Sequence, residues 1–303
     1  MKILCIGHAS YDITIPYDGF PTENTKNRVE NKIECGGGPA SNAAYLLGKW
    51  GMDTTFVGVL GDDLYARRIT DEFNSVGVNT NYIEYDKENE TTLSFIIVNK
   101  HNGSRTVLAH RSADMVLKTK CELKADVILV DGQELKASLE AIENNPNAIS
   151  ILDAGSLKEA NIELGKRVNY LVCSKRFAEE VTNIKVDFNN PESIRNIYTI
   201  MRKEFNNHII ITLESKGCLY MKDNNIKLMP SINVTAVDTT GAGDLFHGAF
   251  TYCIAMGYDL EKALKISNIT GALSVTRMGG RNSVFPLEEV MRIYEKNIWG
   301  YLY

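Results

Sequence analysis

The chain has 303 residues, of which 44% are hydrophobic and 23% charged, so it is long enough to bury the core of one large α/β domain or two smaller ones. Its formal net charge of -5 at pH 7 gives no broad basic surface, which argues against nucleic acid as a partner. No apolar run approaches the roughly 20 residues that span a bilayer, and the N-terminus lacks a secretory apolar region, so we expect a cytoplasmic protein without a membrane partner.

Short apolar runs rich in β-branched residues predict strands at residues 3–7, 55–60, 127–131, 149–153, 170–173 and 209–213. Apolar residues at helical spacing follow several of these runs, at residues 64–76, 135–142 and 194–205. Gly77 suits the left-handed end of a helix, and Asp259 suits an N-cap. This alternation is typical of βα units around a buried parallel sheet, and no linker or repeat divides the chain.

One region interrupts the alternation and predicts a small separate sheet. The Asn-Gly pair at 102–103 lies between two strand-like runs, which is a strong hairpin signal. The segment 13–35 is also strand-like, although polar residues interrupt it. We therefore expect residues of about 13–35 and 92–111 to pair as a β-lid over a site.

The first segment that predicts chemistry is the cluster Gly36-Gly37-Gly38, which precedes a helix-like stretch containing Asn42. Glycines let backbone N–H groups approach an oxygen-rich ligand, and the Asn42 amide offers donors and an acceptor. The segment thus predicts a site for a polyol or a phosphate. A tight turn followed by an ordinary asparagine explains such a cluster equally well when it stands alone.

A second segment, 238–244, runs directly into a stretch with helical spacing. Gly241, Ala242 and Gly243 would expose successive N–H groups at the positive end of that helix, forming an anion hole for a transferring phosphoryl group. Asp244 would lie beside the anion hole and accept the proton of an attacking hydroxyl. An ordinary helix N-terminus with an acidic residue is the alternative interpretation.

Two further residues extend this predicted site. Asp12 follows the first strand, at the edge of the sheet where ligand crevices form, and is a candidate to bind sugar hydroxyls. Arg105 on the hairpin is a candidate to close over phosphate oxygens. A solvated surface role is the alternative for both.

Other classes of site are excluded by missing patterns. The sequence contains no GxxxxGK[ST], and the turn at 7–12 lacks GxGxxG, which argues against P-loop enzymes and Rossmann dehydrogenases. The six cysteines are scattered without a CxxC pair and are expected to be reduced packing residues. No His, Cys and carboxylate set has metal-ligand spacing, so His247 is expected to pack or to form hydrogen bonds.

Taken together, the two glycine-containing segments resemble the signatures of the ribokinase/PfkB family of carbohydrate kinases. Residues 37–44 resemble the family's GGxxxNxA pattern, and residues 238–244 resemble its DTxGAGD pattern. The resemblance spans essentially the whole chain. It implies one domain over residues 1–303 with a ribokinase-like three-layer α/β/α sandwich, a mostly parallel central sheet and a small β-lid, which often carries a homodimer contact.

The resemblance also assigns roles to individual residues. It implies that Asp244 is the base, that Arg105 resembles the lid arginine of ketohexokinase-like members, and that ATP is the phosphoryl donor. The implied sugar-binding residues are Asp12, Gly37, Gly38 and Asn42, and the implied phosphoryl-binding residues are Gly241, Ala242 and Gly243. The implied nucleotide-binding residues are Ser174, Thr212, Glu214, Ser215, Gly217, Asn268 and Gly271, with Glu214 in place of the usual first glycine of a TxGxxG pattern.

Two metal ions are implied by the same resemblance. Many family members bind a monovalent cation such as K⁺, and the matching positions are Asp238, Thr240, Gly279 and Ser283. The family's NxxE motif, which organises the waters of Mg²⁺, is replaced here by Ser174 and Phe177. Glu179 or Glu180 is the candidate substitute for the missing carboxylate.

The acceptor is less sharply indicated. Residues 238–247 and 276–281 resemble sugar and ketose kinases more than adenosine kinases, which favours a ketose or a modified ketose. Ribose, sulfonated or phosphorylated ketoses and nucleosides stay open, because the sequence does not place Gln133, Glu134 and the lid residues, which would choose among them. A non-catalytic sugar or nucleotide sensor is the rival interpretation, and the intact segment 241–244 argues against it.

Overall fold

The computed structural model describes residues 1–296, in which thirteen strands form two sheets. The predicted domain of residues 1–303 therefore includes a short C-terminal stretch that lies outside the described residues. The strands are β1 (Lys2–Ile6), β2 (Ser10–Tyr17), β3 (Ile33–Gly37), β4 (Asp53–Gly61), β5 (Asn79–Asp86), β6 (Leu93–Asn99), β7 (Arg105–His110), β8 (Val127–Val130), β9 (Ile149–Ala154), β10 (Tyr170–Ser174), β11 (His208–Thr212), β12 (Cys218–Lys222) and β13 (Asn225–Met229).

The described residues also form nine α-helices and two short 3-10 turns. The helices are α1 (Pro39–Lys49), α2 (Leu64–Ser75), α3 (Leu135–Asn144), α4 (Glu159–Gly165), α5 (Lys175–Thr182), α6 (Pro191–Glu204), α7 (Ala242–Ala255), α8 (Leu260–Ser274) and α9 (Leu287–Glu295). The 3-10 turns are Glu214–Lys216 and Arg281–Ser283.

The central sheet has the strand order β13-β12-β11-β10-β9-β8-β1-β4-β5. Its pairs are parallel from β11 to β5, and only β12 and β13 pair in the antiparallel direction. Successive residues of β1 point to opposite faces: Ile3 and Cys5 pack with α1, α2, α7, α8 and α9, whereas Leu4 and Ile6 pack with α3, α4, α5 and α6. The predicted three-layer α/β/α sandwich is confirmed.

The predicted elements of the central sheet and its helices are found with small shifts of their ends. Helix α6 begins at Pro191, earlier than predicted, because Asn190 caps it and proline is favoured in the first turn. Gly77 adopts φ 76° directly after α2, and Asp259 caps α8 by accepting a hydrogen bond from the Lys262 N–H. All six cysteines are free thiols and buried, as expected.

A second sheet has the order β3-β2-β6-β7. Strands β6 and β7 form the predicted hairpin around Gly103, which has φ 68°. The strand-like interpretation of residues 13–35 was wrong at its centre, since residues 18–32 contain no strand. Gly19, Pro21 and Asn24 lie in this stretch, and Asn24 has φ 59°, a conformation incompatible with an extended strand.

No helix among residues 1–296 combines the length and the apolar character needed to cross a membrane.

Candidate active site

The glycine cluster before α1 is explained by close packing of protein groups. A Cβ on Gly36 would lie 2.3 Å from Cζ of Arg281, and a Cβ on Gly37 would lie 2.1 Å from Oδ2 of Asp12. Gly38 adopts φ 94°, caps α1 and would place a Cβ 2.5 Å from the His8 carbonyl oxygen. The missing Cβ atoms of Gly36 and Gly37 therefore make room for two charged side chains, a role that the sequence did not indicate.

Asn42 and Asp244 meet although 202 residues separate them in the sequence. The Asn42 Nδ2 group donates a hydrogen bond of 2.7 Å to Oδ2 of Asp244. The Asn42 side-chain oxygen is buried and has no hydrogen-bond partner in the protein. Because an unpaired buried acceptor is costly, this oxygen is suited to receive a hydrogen bond from a ligand hydroxyl.

The segment 238–244, predicted to form an anion hole, leads into the start of α7. Gly241 occupies the N-cap position with φ 75°, a left-handed conformation that favours glycine. Gly243 is exposed, and Asp244 is half-buried in the first turn of the helix. The first N–H groups of a helix lack intrahelical partners and carry the positive end of its dipole, so they suit a phosphoryl group.

Asp238 fixes this segment to the turn near the end of the chain. Its carboxylate accepts hydrogen bonds from the N–H groups of Thr240 (2.8 Å) and Gly279 (2.9 Å). The Ser283 hydroxyl donates to the Gly280 carbonyl at 2.6 Å. The Thr240 hydroxyl oxygen is buried without a hydrogen-bond partner.

Arg281 is a buried charge that sequence reasoning missed. Only 2% of its surface is exposed, and its guanidinium donates to Oε2 of Glu72 (2.8 Å) and to the Ser41 hydroxyl (2.5 Å). The Glu72 carboxylate in turn accepts from the Gly36 N–H, at 3.0 and 3.1 Å. Arg281 thus connects α2, β3 and α1, and Ser41 directly precedes Asn42 in the sequence.

Asp12 is buried rather than a solvated surface residue, with 5% of its surface exposed. Burial raises the pKa of its carboxyl to about 6, and the nearby Asp244 charge adds to this rise. Hydrogen bonds from Ser10 and Ser94 and the charge of Arg281 oppose it. Asp12 therefore changes its charge in the range where enzymes are usually assayed.

The carboxyl edge of the central sheet carries two further acids that sequence reasoning missed. Asp131 follows β8 and accepts hydrogen bonds from the N–H groups of His8, Ala40 and Gln133. Asp153, in β9, lies 3.2 Å from Nδ1 of His247. Their position is a consequence of parallel strands, which bring their carboxyl ends to one edge.

The hairpin of the second sheet contacts the anion-hole segment. Arg105 donates from Nη1 to the Thr239 hydroxyl at 3.0 Å, and the Thr239 N–H and hydroxyl both donate to the Gly103 carbonyl. The structure therefore brings Arg105 to Thr239, two residues before the predicted anion hole.

The end of β11 and the turn after it contain four of the seven residues assigned to the nucleotide by resemblance. Glu214 adopts φ 55°, so it holds the left-handed conformation that glycine adopts easily, and Gly217 adopts φ 97°. Ser215 lines a surface cavity of about 390 Å³ together with Phe188 and Lys216. Thr212 lies at the end of β11, where its hydroxyl is 3.3 Å from the Cys173 carbonyl oxygen.

The other three nucleotide candidates have structural partners in the protein. Ser174 caps α5, accepting from the Phe177 N–H and donating to the Gly155 carbonyl. Asn268 donates to the carbonyls of Met229 and Pro230 and to the Cys218 sulfur. Gly271 packs α8 against the start of α7, because a Cβ there would lie 3.3 Å from the Ala242 carbonyl oxygen.

The hypothesis that Glu179 or Glu180 replaces the missing Mg²⁺ carboxylate is not supported by their contacts. Glu179 accepts from the Val186 N–H and pairs with Lys185. Glu180 accepts from the Leu157 N–H and from Arg176. Among residues 1–296, no group of three or more His, Cys, Asp or Glu side chains is arranged to hold a metal ion.

Comparison with known proteins defines the class of protein that carries this fold and site. The family model described as pfkB family carbohydrate kinase matches residues 1–286, and the chain belongs to this family. Its members are phosphotransferases, so the class is that of a kinase with the ribokinase-like fold.

Particular relatives cover nearly the whole chain. A deoxyribokinase from Salmonella typhi is 29% identical over 304 residues, covering 95% of this chain and 97% of the relative. A nucleoside kinase from Methanocaldococcus jannaschii is 25% identical and covers 98% and 97%.

Solved structures show the same fold. The ribokinase from Thermotoga maritima has a TM-score of 0.78 at 25% identity, covering 97% of this chain and 99% of that one. A structure of Arabidopsis thaliana ribokinase complexed with ribose and ATP has a TM-score of 0.79 at 20% identity, covering 96% and 97%.

Proposed function

We propose that this protein transfers the terminal phosphoryl group of ATP to a hydroxyl group of a sugar, with Asp244 as the general base. The observation that carries the proposal is the position of Asp244 in the first turn of α7, hydrogen-bonded to Asn42. One carboxylate is thereby shared between the predicted sugar-binding loop and the predicted anion hole. An acceptor hydroxyl held by Asn42 lies beside both.

The chemical step follows from this arrangement. Asp244 accepts the proton of the acceptor hydroxyl as its oxygen bonds to the terminal phosphorus of ATP, and the bond from that phosphorus to the bridging oxygen breaks to release ADP. The N–H groups at the start of α7, from Gly241 to Gly243, stabilise the charge on the phosphoryl oxygens. Arg105, next to Thr239, is positioned to add a positive charge there.

The acceptor is proposed to be a polyol because of the groups that surround Asn42. Asp12 and Asp244 supply carboxylate oxygens, Asn42 supplies an unpaired side-chain oxygen, and Gly37 and Gly38 shape the loop. Carboxylate and amide groups pair well with several hydroxyls at once. Among polyols we favour a ketose or modified ketose, from the resemblance of residues 238–247 and 276–281.

A nucleoside is the second candidate acceptor. Its support is the Methanocaldococcus jannaschii nucleoside kinase, which covers the chain as completely as the deoxyribokinase does. Both kinds of acceptor present sugar hydroxyls to the same three side chains. A nucleoside also carries a nucleobase, which a free sugar lacks, so activity assays with both kinds of acceptor distinguish them.

ATP is proposed to lie against the turn after β11 and the start of α7. The support is the resemblance of residues 212–217 and the ATP-bound ribokinase that shares the fold. The proposed contacts are Ser174, Thr212, Glu214, Ser215, Gly217, Asn268 and Gly271. Since Ser174 and Asn268 already bond to protein groups, we expect them to shape the site more than to bind the nucleotide directly.

The two ions differ in how well the protein residues fit them. The carboxylates near Ser174 are already paired, so Mg²⁺ is proposed to enter with the substrate as ATP·Mg²⁺, held largely by phosphates and water. A monovalent cation such as K⁺ fits the segment of Asp238 and Thr240 better, because the buried Thr240 hydroxyl oxygen lacks a partner. Gly279 and Ser283 would complete its surroundings. Such an ion would supply charge that fixes the anion-hole segment.

We also propose a homodimer formed through the second sheet, and a location in the cytoplasm. The dimer is supported by the exposed edge strand β7, whose six residues are all exposed. The location is supported by six free cysteines, which are typical of a reducing compartment.

The first test is ADP production from ATP·Mg²⁺, with and without K⁺, over a panel of acceptors. The panel contains fructose, ribose, deoxyribose, other ketoses, their phosphates and sulfonates, and nucleosides. Turnover with a sugar would support the proposal and name the acceptor, whereas turnover only with nucleosides would select the second candidate. Binding of ATP without turnover of any acceptor would favour a sensor.

The second test is Asp244→Asn, which keeps the shape of the side chain and removes the base. We expect kcat to fall by about 10² to 10⁴ while the affinity for ATP stays within about twofold. The matched control is Asp62→Asn, an exposed acid that follows β4, which should leave kcat unchanged. An Asp244→Asn protein with normal kcat would contradict the assignment.

A further inference from the structure

His247 lies in α7, one turn after Asp244, and both of its ring nitrogens face oxygen atoms. Nδ1 is 2.6 Å from the Gly243 carbonyl oxygen and 3.2 Å from Oδ2 of Asp153. Nε2 is 3.0 Å from the Val172 carbonyl oxygen. His247 and Asp153 are both buried, so water does not compete for these contacts.

These contacts indicate which protonation state of the ring satisfies its neighbours. A carbonyl oxygen only accepts hydrogen bonds, so a ring nitrogen that faces one must carry a proton to be satisfied. A neutral imidazole has one N–H, and either neutral tautomer would direct a lone pair at a carbonyl oxygen within 3.0 Å. The imidazolium satisfies both contacts, and an ionised Asp153 balances its charge.

Charged groups from several elements surround His247 and Asp153. Asp244 on α7 and Asp131 after β8 add negative charge near Asp153, and Lys158 before α4 adds positive charge. The Cys173 thiol on β10 also lies close to Asp153. Burial raises the pKa of Asp153, and the positive charge of His247 opposes this rise and favours the ionised carboxylate.

His247 and Asp153 lie directly behind the predicted anion hole, because Nδ1 of His247 contacts the Gly243 carbonyl oxygen. Its hydrogen bond holds the carbonyl of Gly243, and the peptide that follows this carbonyl carries the N–H of Asp244. A fixed positive charge one turn inside α7 has the same sign as the helix dipole at that end. The imidazolium charge and the helix dipole both favour binding of an anion at the helix N-terminus.

We propose that His247 is a permanently protonated positioning residue, held as an imidazolium by Asp153, which fixes the Gly243–Asp244 peptide and strengthens the anion hole for the transferred phosphoryl group. This inference rests on the proposed kinase activity for its kinetic consequence. Its structural part, the protonation of His247, does not.

The structural part is tested by NMR of the intact protein labelled with ¹⁵N at its five histidines. His247→Gln identifies the His247 signals by their loss. At pH 7.5 we expect both ring nitrogens of His247 to show signals of protonated nitrogen. A signal from one unprotonated ring nitrogen would overturn the proposal, whether or not the protein is an active kinase.

The kinetic part is tested with Asp153→Asn, which keeps the shape and removes the countercharge. Without the countercharge that favours the imidazolium, the alkaline limb of the kcat profile should lie at least about one pH unit lower than in the unmodified protein. The acid limb and the KM for the acceptor should change little. An unshifted alkaline limb in a folded variant would overturn the proposal.

The matched control for local damage is Thr251→Val. Thr251 is fully buried in the same helix and donates a 2.8 Å hydrogen bond to the His247 carbonyl, so the change removes a nearby hydrogen bond without altering charge. It should lower stability while leaving the pH profile of kcat unshifted. A shift equal to that of Asp153→Asn would show that packing, not charge, controls the profile.

Discussion

Asp12 is a buried acid whose charge responds to pH near neutrality. Burial raises the pKa of its carboxyl to about 6, so below that pH the side chain is protonated and accepts hydrogen bonds less well. We predict that the KM for the acceptor rises as the pH falls below about 6, measured by steady-state kinetics between pH 5 and 8. Asp12→Asn should abolish this dependence, and a pH-independent KM in the unmodified protein would contradict the prediction.

The same pKa has a consequence for folding. Because the pKa is higher in the folded state than the ordinary value of 3.8, ionisation of Asp12 destabilises the fold, and this cost is complete above about pH 6. The contribution to stability is recovered as the pH falls from 6 towards 4. Asp12→Asn should thus stabilise the protein more at pH 8 than at pH 5, relative to the unmodified chain.

Arg281 is a second buried charged residue, and its replacement should change the stability of the protein. Its guanidinium pairs with Glu72 and Ser41, so Arg281→Met leaves the partly buried Glu72 carboxylate without its countercharge. We predict a loss of about 3 kcal/mol in the free energy of unfolding, measured with urea, together with a lower kcat. Arg277→Met, an exposed arginine nearby in the sequence, is the control and should cost less than about 1 kcal/mol.

At the scale of elements, the sequence predicted features that a single continuous segment forms, because local residue patterns determine them. Gly241 and helix α7 are continuous in the sequence, so the start of a helix directly after Gly241 was predictable. The Arg281 contacts were not, because Ser41 and Glu72 lie 240 and 209 residues away and no spacing links them. The strand break at residues 18–32 was missed because scattered apolar residues there imitate a strand.

The glycines on two elements should respond differently to alanine. Gly36→Ala in β3 would place a Cβ 2.3 Å from Arg281, so we predict a loss of at least about 2 kcal/mol in the free energy of unfolding. Gly243→Ala in α7 meets no atom within 4 Å and should raise helix stability by up to about 1 kcal/mol.

Activity separates the same two variants further. If Gly243 lies against the phosphoryl group, Gly243→Ala should lower kcat/KM for ATP despite equal or greater stability. Thermal unfolding and kinetics of both variants provide the measurement. Normal kinetics of Gly243→Ala would argue against the proposed anion hole.

At the scale of the whole molecule, the second sheet ends in the edge strand β7, which carries exposed apolar side chains. Val107 and Leu108 in β7 are 47% and 58% exposed. We predict a dimer at micromolar concentration by analytical ultracentrifugation, and a monomer for Leu108→Lys. Leu64→Lys, at a residue of similar exposure in α2, should leave the dimer intact, and a monomeric unmodified protein would contradict the prediction.

The long-range contacts of Arg281 also affect how the chain folds during its synthesis. Ribosomes deliver residues 36–42 long before residues 279–283, yet the two segments meet through Ser41 and Arg281. Domains of this size often pass through partly folded intermediates. A nascent chain shorter than about 280 residues would thus expose Glu72 and the glycine loop without their partner, so premature termination should yield a protein that proteases degrade rather than a weakened kinase.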